Sequence, residues 1–245
     1  MKLCAIIPFY NHPEPIAGVV DSLLEKQIPC FIVDDGSDIY SKGELAKLAG
    51  DPLVTVVTRV INGGKGAAVI DGLRAALAEG YTHALQIDAD GQHDANEIPA
   101  LMKEAQDYPD AIISGMPVYG KDVPKSRLIG RYATHIWVWI NTLSLDIKDS
   151  MCGFRIYPIA PTLNVINKTP GLGLRMDFDI EVLVRAYWSG LKVRQIPVGV
   201  HYPLDGISHF DVIKDNIAIS KMHTKLFFGM IPIAPRLIFR KLRGR

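Results

Sequence analysis

Cysteine is scarce in this 245-residue chain, and acidic residues are missing from its end. The three cysteines, Cys4, Cys30 and Cys152, form an odd set without metal-ligand spacing. That argues against a disulfide scaffold or a cysteine-based zinc site and suits a reducing compartment. No run of about 20 apolar residues is present, so no transmembrane helix is expected. The best stretch, 226–239, is short and contains Pro232, Pro235 and Arg236. The apolar run at the N-terminus stops at Pro8, too early for the hydrophobic region of a signal peptide. Repeats, low-complexity linkers and a clear domain boundary are all lacking.

What is present divides by charge. Residues 221–245 contain Lys221, Lys225, Arg236, Arg240, Lys241, Arg243 and Arg245 but no Asp or Glu, although the whole chain is only +1. The first 220 residues therefore hold 20 of the 27 basic residues and all 26 acidic ones, a net of −6. A basic end on a mildly acidic body suits an anionic surface. Phe227, Phe228, Met230, Ile231, Leu237, Ile238 and Phe239 interleave with those cations, which favours a membrane interface over nucleic acid. Peripheral contact with the inner face of the cytoplasmic membrane is expected, and no nucleic-acid partner.

Apolar patterning predicts alternating strands and helices. Strands are expected at 3–8, 30–33, 53–58, 83–87 and 111–114, with helices near 15–27, 41–49, from 65 onward, and 96–106. Such alternation implies parallel strands with right-handed crossovers and helices on both faces. After residue 115 the pattern loosens. A loop is expected at 117–124, helices at 128–145 and 177–188, strands at 153–157 and 192–201, and a helix from about 210 before a proline-broken basic tail. Trp137 and Trp139 read as core packing.

Ligands of an open parallel sheet bind beyond the carboxyl ends of its strands. Four strand ends here carry special residues: Pro8-Phe9-Tyr10-Asn11, Asp34-Asp35-Gly36-Ser37, Asn62-Gly63-Gly64-Lys65-Gly66 and Asp88-Ala89-Asp90-Gly91-Gln92-His93. The carboxylate pair Asp88 and Asp90 would be costly against a core unless compensated. Hard divalent ions such as Mg²⁺ or Mn²⁺ take carboxylate oxygens and share them with phosphates, so a metal bridging a diphosphate is one reading and a solvated turn the other. A carboxylate after the second strand can accept hydrogen bonds from a base or ribose. The glycine-rich loop either brings backbone amides and Lys65 to phosphates or forms a tight helix start.

In this order and spacing, the four motifs resemble the nucleotide-sugar half of the family-2 glycosyltransferases, which have the GT-A fold. Cys152-Gly153-Phe154-Arg155 is similar to the Ser-Gly-Phe-Arg element of their dolichyl-phosphate mannosyltransferase-like branch. The match spans roughly 3–210. The resemblance implies an α/β GT-A domain over 1–210, with a nucleotide-sugar half to about 115 and an acceptor half from 116, followed by a C-terminal helix and basic tail at 211–245. It implies inverting transfer of a hexose from a UDP- or GDP-linked sugar to a polyprenyl-phosphate or other lipid acceptor. By position, Pro8, Tyr10, Asn11 and Asp34 or Asp35 would serve the nucleoside, Asp88 the ribose or diphosphate, and Lys65 the nucleotide side. Asp90 would be the main ligand of Mg²⁺ or Mn²⁺, with Asp88 and Gln92 beside it.

An acceptor hydroxyl needs a general base, whereas an ionised acceptor phosphate needs cations. Base candidates are Asp177, Asp179 and Asp149. Phosphate candidates are Arg127, Arg131 and Arg155. The branch often has Arg-x-x-Gly-x-Ser-Lys after its last strand; here the stretch reads Pro203-Leu204-Asp205-Gly206-Ile207-Ser208-His209, leaving His209 as a candidate donor to the diphosphate. Two alternatives are a sugar-phosphate nucleotidyltransferase and a non-catalytic nucleotide-sugar binding module. The first usually opens with a glycine-rich, arginine-containing loop, where this chain has Phe9-Tyr10-Asn11-His12.

Overall fold

A computed structural model describes residues 1–118, 125–199 and 212–243 of the protein. Seven strands form one sheet in the order β3-β2-β1-β4-β6-β5-β7. They are β1 (Leu3–Phe9), β2 (Cys30–Asp35), β3 (Val54–Arg59), β4 (His83–Gln86), β5 (Ala111–Val118), β6 (Arg155–Pro158) and β7 (Lys192–Gly199). The near-continuous apolar run of β1 reflects burial on both faces. Cys4 and Ile6 enter one apolar cluster, and Ala5, Ile7 and Phe9 enter the other.

One face carries α1 (Ile16–Leu24), α2 (Ile39–Leu48) and α4 (Ile98–Asp107); the other carries α3 (Lys65–Ala78), α5 (Lys125–Thr142), α6 (Ile159–Asn167), α7 (Phe178–Ser189) and α8 (Val212–Met230). Asp38 starts α2 by accepting from the Ser41 amide at 2.8 Å, an N-cap contact. Gly190 ends α7 in the left-handed conformation at φ 101°, which glycine adopts without a Cβ penalty.

The expected parallel sheet holds for β3, β2, β1 and β4, and for β5 with β7. β6 departs from it, running antiparallel to both β4 and β5. β5 extends through Pro117 to Val118, into the expected loop. The helix α6 was not anticipated, because Pro158 and Pro161 punctuate a short segment; both lie at its first turn or just before it, where proline is tolerated.

The C-terminal segment shares the main core. Ile219, Met222, Leu226, Met230 and Leu237 are buried in the same cluster as Val69, Leu73 and Leu183. Pro232 and Pro235 do break the helix: α8 ends at Met230, a 3-10 turn follows, and α9 spans Ala234–Leu242. Among the described residues no helix is long and apolar enough to cross a membrane.

Candidate active site

Because β3, β2, β1 and β4 are parallel neighbours, their carboxyl ends share one edge of the sheet. The first three loops there are tied together. Asn11, at φ 50°, accepts from the Asp38 amide at 2.9 Å, and its own amide donates to Ser37 Oγ at 3.1 Å. Pro8 and Tyr10 are half-buried beside it. Asp34 is fully buried; one carboxylate oxygen accepts from the Ser37 amide at 2.9 Å and the other has no hydrogen-bond partner among the described residues.

Asp35 has a different place. Its carboxylate accepts from the amides of Gly63 and Gly64 at 2.8 and 2.7 Å, and from Arg59 Nε at 2.8 Å. The Ala67 amide donates to Leu174 O at 3.3 Å. These amides of the glycine-rich loop and helix start are thus consumed by protein acceptors, so the loop is built as a tight helix start. Gly64 needs its φ of 94°, and a Cβ there would meet Leu174 O at 2.5 Å.

The loop delivers Lys65 into a cluster of acids. Its Nζ lies 2.7 Å from Asp88 Oδ1 and 2.9 Å from Asp179 Oδ2. Asp179, in the first turn of α7, also accepts from Gln86 Nε2 at 3.0 Å. Burial alone would push the Lys65 ammonium down, but Asp179 and Asp88 outweigh it and hold the group above its ordinary value. Burial likewise opposes ionisation of Asp88, and Lys65 with His93 overcomes it, keeping the carboxyl below the usual range. His93 Nε2 is 3.5 Å from Asp88 Oδ2, and the His93 ring stacks on Phe154 with centroids 4.9 Å apart.

Asp90 is half-buried, and one of its oxygens accepts from the Gln92 amide at 3.1 Å. Among the described residues no three His, Cys, Asp or Glu side chains converge as a metal cluster. The expected donors are instead two carboxylates and the side-chain carbonyl oxygen of Gln92. Asp88 Oδ2 accepts from Lys65 Nζ at 2.9 Å, and Oδ1, which lies 2.7 Å from the same ammonium, accepts no aligned hydrogen bond among the described residues. This oxygen-only donor set fits Mg²⁺ or Mn²⁺.

Arg155 does not face this site with a free fork. It is fully buried and donates to the carbonyls of Asp179 and Ser150 at 2.6 and 2.8 Å and to Tyr157 Oη at 3.3 Å. Its apolar sequence setting reflects a cation tying β6 to α7. Asp149 is equally committed. It accepts from Arg131 Nε at 2.6 Å and from the amides of Met151 and Cys152, with His135 3.5 Å away. Burial opposes its charge, but His135 and Arg131 hold its carboxyl down at about 2. Arg131, on α5, retains 18% side-chain exposure. Asp177 is half-buried before α7 and accepts from the Arg175 amide at 3.1 Å. The Arg127 side chain and His209 lie outside the described residues.

Sequence reasoning assigned no role to Gln86, Tyr157 or Gly153. Tyr157 Oη donates to Gln86 Oε1 at 3.0 Å, completing a buried chain from Arg155 to Asp179. The lone amide side chain in the run Ala84-Leu85-Gln86-Ile87 was the available signal. Gly153 leaves room for the ion pair, since a Cβ there would lie 2.7 Å from Lys65 Nζ and 3.1 Å from Asp88 Oδ2.

Comparison with known proteins identifies the family and the fold. The Glycosyl transferase family 2 profile matches residues 4–168. The chain belongs to that family. It is 30% identical over 207 residues to an undecaprenyl-phosphate mannosyltransferase of Micrococcus luteus, covering 81% of this chain and 83% of that one. It is 29% identical over 205 residues to a polyprenol monophosphomannose synthase of Mycolicibacterium smegmatis, covering 80% and 76%. These relatives place this family-2 glycosyltransferase in the dolichyl-phosphate mannosyltransferase-like branch. Glucosyl-3-phosphoglycerate synthase from Mycobacterium tuberculosis, crystallised with Mn²⁺ and UDP-glucose, superposes with a TM-score of 0.66 at 15% identity, covering 94% of this chain and 78% of that one. The fold is GT-A. Family membership sets aside the nucleotidyltransferase alternative.

Proposed function

We propose that this glycosyltransferase moves a sugar, with inversion, from a UDP- or GDP-linked donor to a polyprenyl phosphate or similar lipid acceptor at the cytoplasmic membrane face. The observation that carries the reading is the meeting of Asp88, beyond β4, with Asp179 of α7 around Lys65, with Asp90 two residues after Asp88 on the same loop. Pro8, Tyr10 and Asp34 line the edge where a nucleoside would lie, and Asp35 serves by fixing the loop that carries Lys65. Asp88, Asp90 and Gln92 would hold Mg²⁺ or Mn²⁺, which supplies charge stabilisation for the departing diphosphate.

Two of the three base candidates are engaged by other side chains, which favours a phosphate acceptor. Asp149 is neutralised by Arg131, and Asp179 is shared between Lys65 and Gln86. An ionised phosphate requires no proton abstraction. It requires a cation, and Arg131 on α5 is held for that purpose by Asp149, with Arg127 one turn earlier on the same helix. The names of the two relatives point the same way.

The membrane assignment rests on α9. Arg236 and Arg240 are spent on the carbonyls of Tyr187 and Trp188 at the end of α7, and Leu237 is buried. Ile231, Ile238, Phe239 and Leu242 remain 50% or more exposed beside Lys241 and Arg243. Apolar groups among cations suit an anionic leaflet.

Release of nucleoside diphosphate from UDP- and GDP-sugars, with polyprenyl phosphate and Mn²⁺ or Mg²⁺, tests the reading. Asp90→Ala should lower metal-dependent turnover at least about a hundredfold while the protein stays folded. Full activity in that variant would remove the metal assignment.

A further inference from the structure

Lys65 stands at an unusual point. As the first residue of α3 it is a cation at the positive end of a helix dipole, where cations are disfavoured. Its stem starts from fixed backbone, because Asp35 grips the Gly63 and Gly64 amides and Leu174 O takes the Ala67 amide. Its ammonium is drawn to two carboxylates from separate parts of the chain, Asp88 after β4 and Asp179 on α7. The pocket that receives it exists because residue 153 has no side chain. Asp88 is one of the expected metal ligands, so the ammonium sits on an oxygen the metal would need.

We infer that Lys65 is an internal counter-cation that holds Asp88 in the nucleotide-free enzyme and releases it only when a nucleoside diphosphate offers the ammonium another anion. The inference rests on the assignment of Asp88, Asp90 and Gln92 as metal ligands. Two cations on one carboxylate repel each other in a partly buried site. The free enzyme therefore holds a divalent ion weakly. A diphosphate draws Lys65 away as a compact, mobile point charge and leaves Asp88 to the metal. By linkage the two ligands then strengthen each other equally. Lys65 is a positioning residue in this scheme, and it makes metal capture conditional on the presence of nucleotide.

Manganese binding, followed by electron paramagnetic resonance of free Mn²⁺, tests this directly. The titration is run on the full chain alone and with saturating UDP or GDP. Wild type should bind Mn²⁺ at least about tenfold more tightly with nucleotide than without. Lys65→Met keeps the stem and loses the charge; it should bind Mn²⁺ without nucleotide at least about tenfold more tightly than wild type, and the nucleotide effect should shrink. Lys65→Arg should behave like wild type, and adding Asp90→Ala to Lys65→Met should abolish the gain. Melting curves check the fold of each variant, with Lys65→Gln as the substitute if the methionine variant melts early. Unchanged or weaker metal binding in the uncharged variants, with nucleotide-dependent binding intact in wild type, would overturn the role of Lys65 alone. Absence of Mn²⁺ binding under every condition would overturn the metal assignment and this inference with it.

Discussion

Adding one methyl group at Gly66 should loosen the joint between α3 and α7. Gly66 lies in the first turn of α3 and faces Phe178, the first residue of α7, whose ring is fully buried. A Cβ on Gly66 would stand 2.5 Å from Phe178 Cβ and 2.6 Å from Cγ. Carbon atoms in good contact are about 3.5–4.0 Å apart, so the helices must separate by about 1 Å. Rotation of the ring cannot relieve this, because Cβ moves only with the backbone. Against it stands the helix preference for alanine, at most about 1 kcal/mol. Overpacking costs about 1–3 kcal/mol, and a backbone-linked clash belongs at the upper end. Gly66→Ala should therefore destabilise by about 1–2 kcal/mol, a fall in Tm of about 2–8 °C for a chain of this size. Urea unfolding measures the loss. The double variant with Phe178→Gly, which removes Cβ as well as the ring, should lose less than the sum of the single losses, by about 1 kcal/mol, because the clash needs both partners. An alanine variant as stable as wild type, or losses that simply add, would refute the steric argument. The same displacement would stretch the 2.9 Å contact between Lys65 and Asp179.

Other expectations concern the thiols, acid stability and the tail. Cys4, Cys30 and Cys152 are at most 4% exposed, and burial pushes each thiol up to about 12, so a thiol reagent at neutral pH should label them only on unfolding; rapid native labelling would contradict this burial. His223 is buried against Trp137, and burial lowers its pKa from 6.5 to about 4. The unfolded chain then takes up a proton first, and stability should fall from about pH 6.5 to pH 4 at up to about 1.4 kcal/mol per unit. His223→Phe should flatten that slope in urea titrations, and an unchanged slope would assign it elsewhere. Replacing Ile238, Phe239 and Leu242 with serine should weaken binding to anionic vesicles about tenfold or more while sparing nucleotide binding; equal vesicle binding would exclude α9 as the contact.

The sheet edge was legible because both its signals are local. Apolar runs mark β1 to β4, and polar or glycine residues mark their ends, so the convergence of four loops follows from parallel pairing alone. Polar residues that act inside the protein were harder to read. Asp35 and Asp34 are adjacent and equally acidic, yet pleating sends them to opposite faces, and only Asp35 meets the Gly63 and Gly64 amides. Arg155 looked exceptional in an apolar run, but its two shortest hydrogen bonds go to backbone carbonyls that no side-chain pattern advertises. The sequence presents the tail as a basic segment for an anionic surface. That reading changes for three of its seven cations: Arg236 and Arg240 cap α7, and Lys225 pairs with Glu181. Long-range pairing decides such cases, and the spacing of one chain does not encode it.

The reversed direction of β6 limits how this enzyme can be recombined with its relatives. Its residues enter the sheet from the rim where β4 leaves it, with Gln86 opposite Arg155 and His83 opposite Pro158. A chimera joined between Asp149 and Pro158 would risk a one-residue slip, and a slip sends every side chain of a strand to the wrong side. Ile156 would then stand where the guanidinium bridges Ser150 and Asp179. Swaps intended to alter acceptor choice should carry the whole 149–158 segment as one block, together with the helix start that it braces.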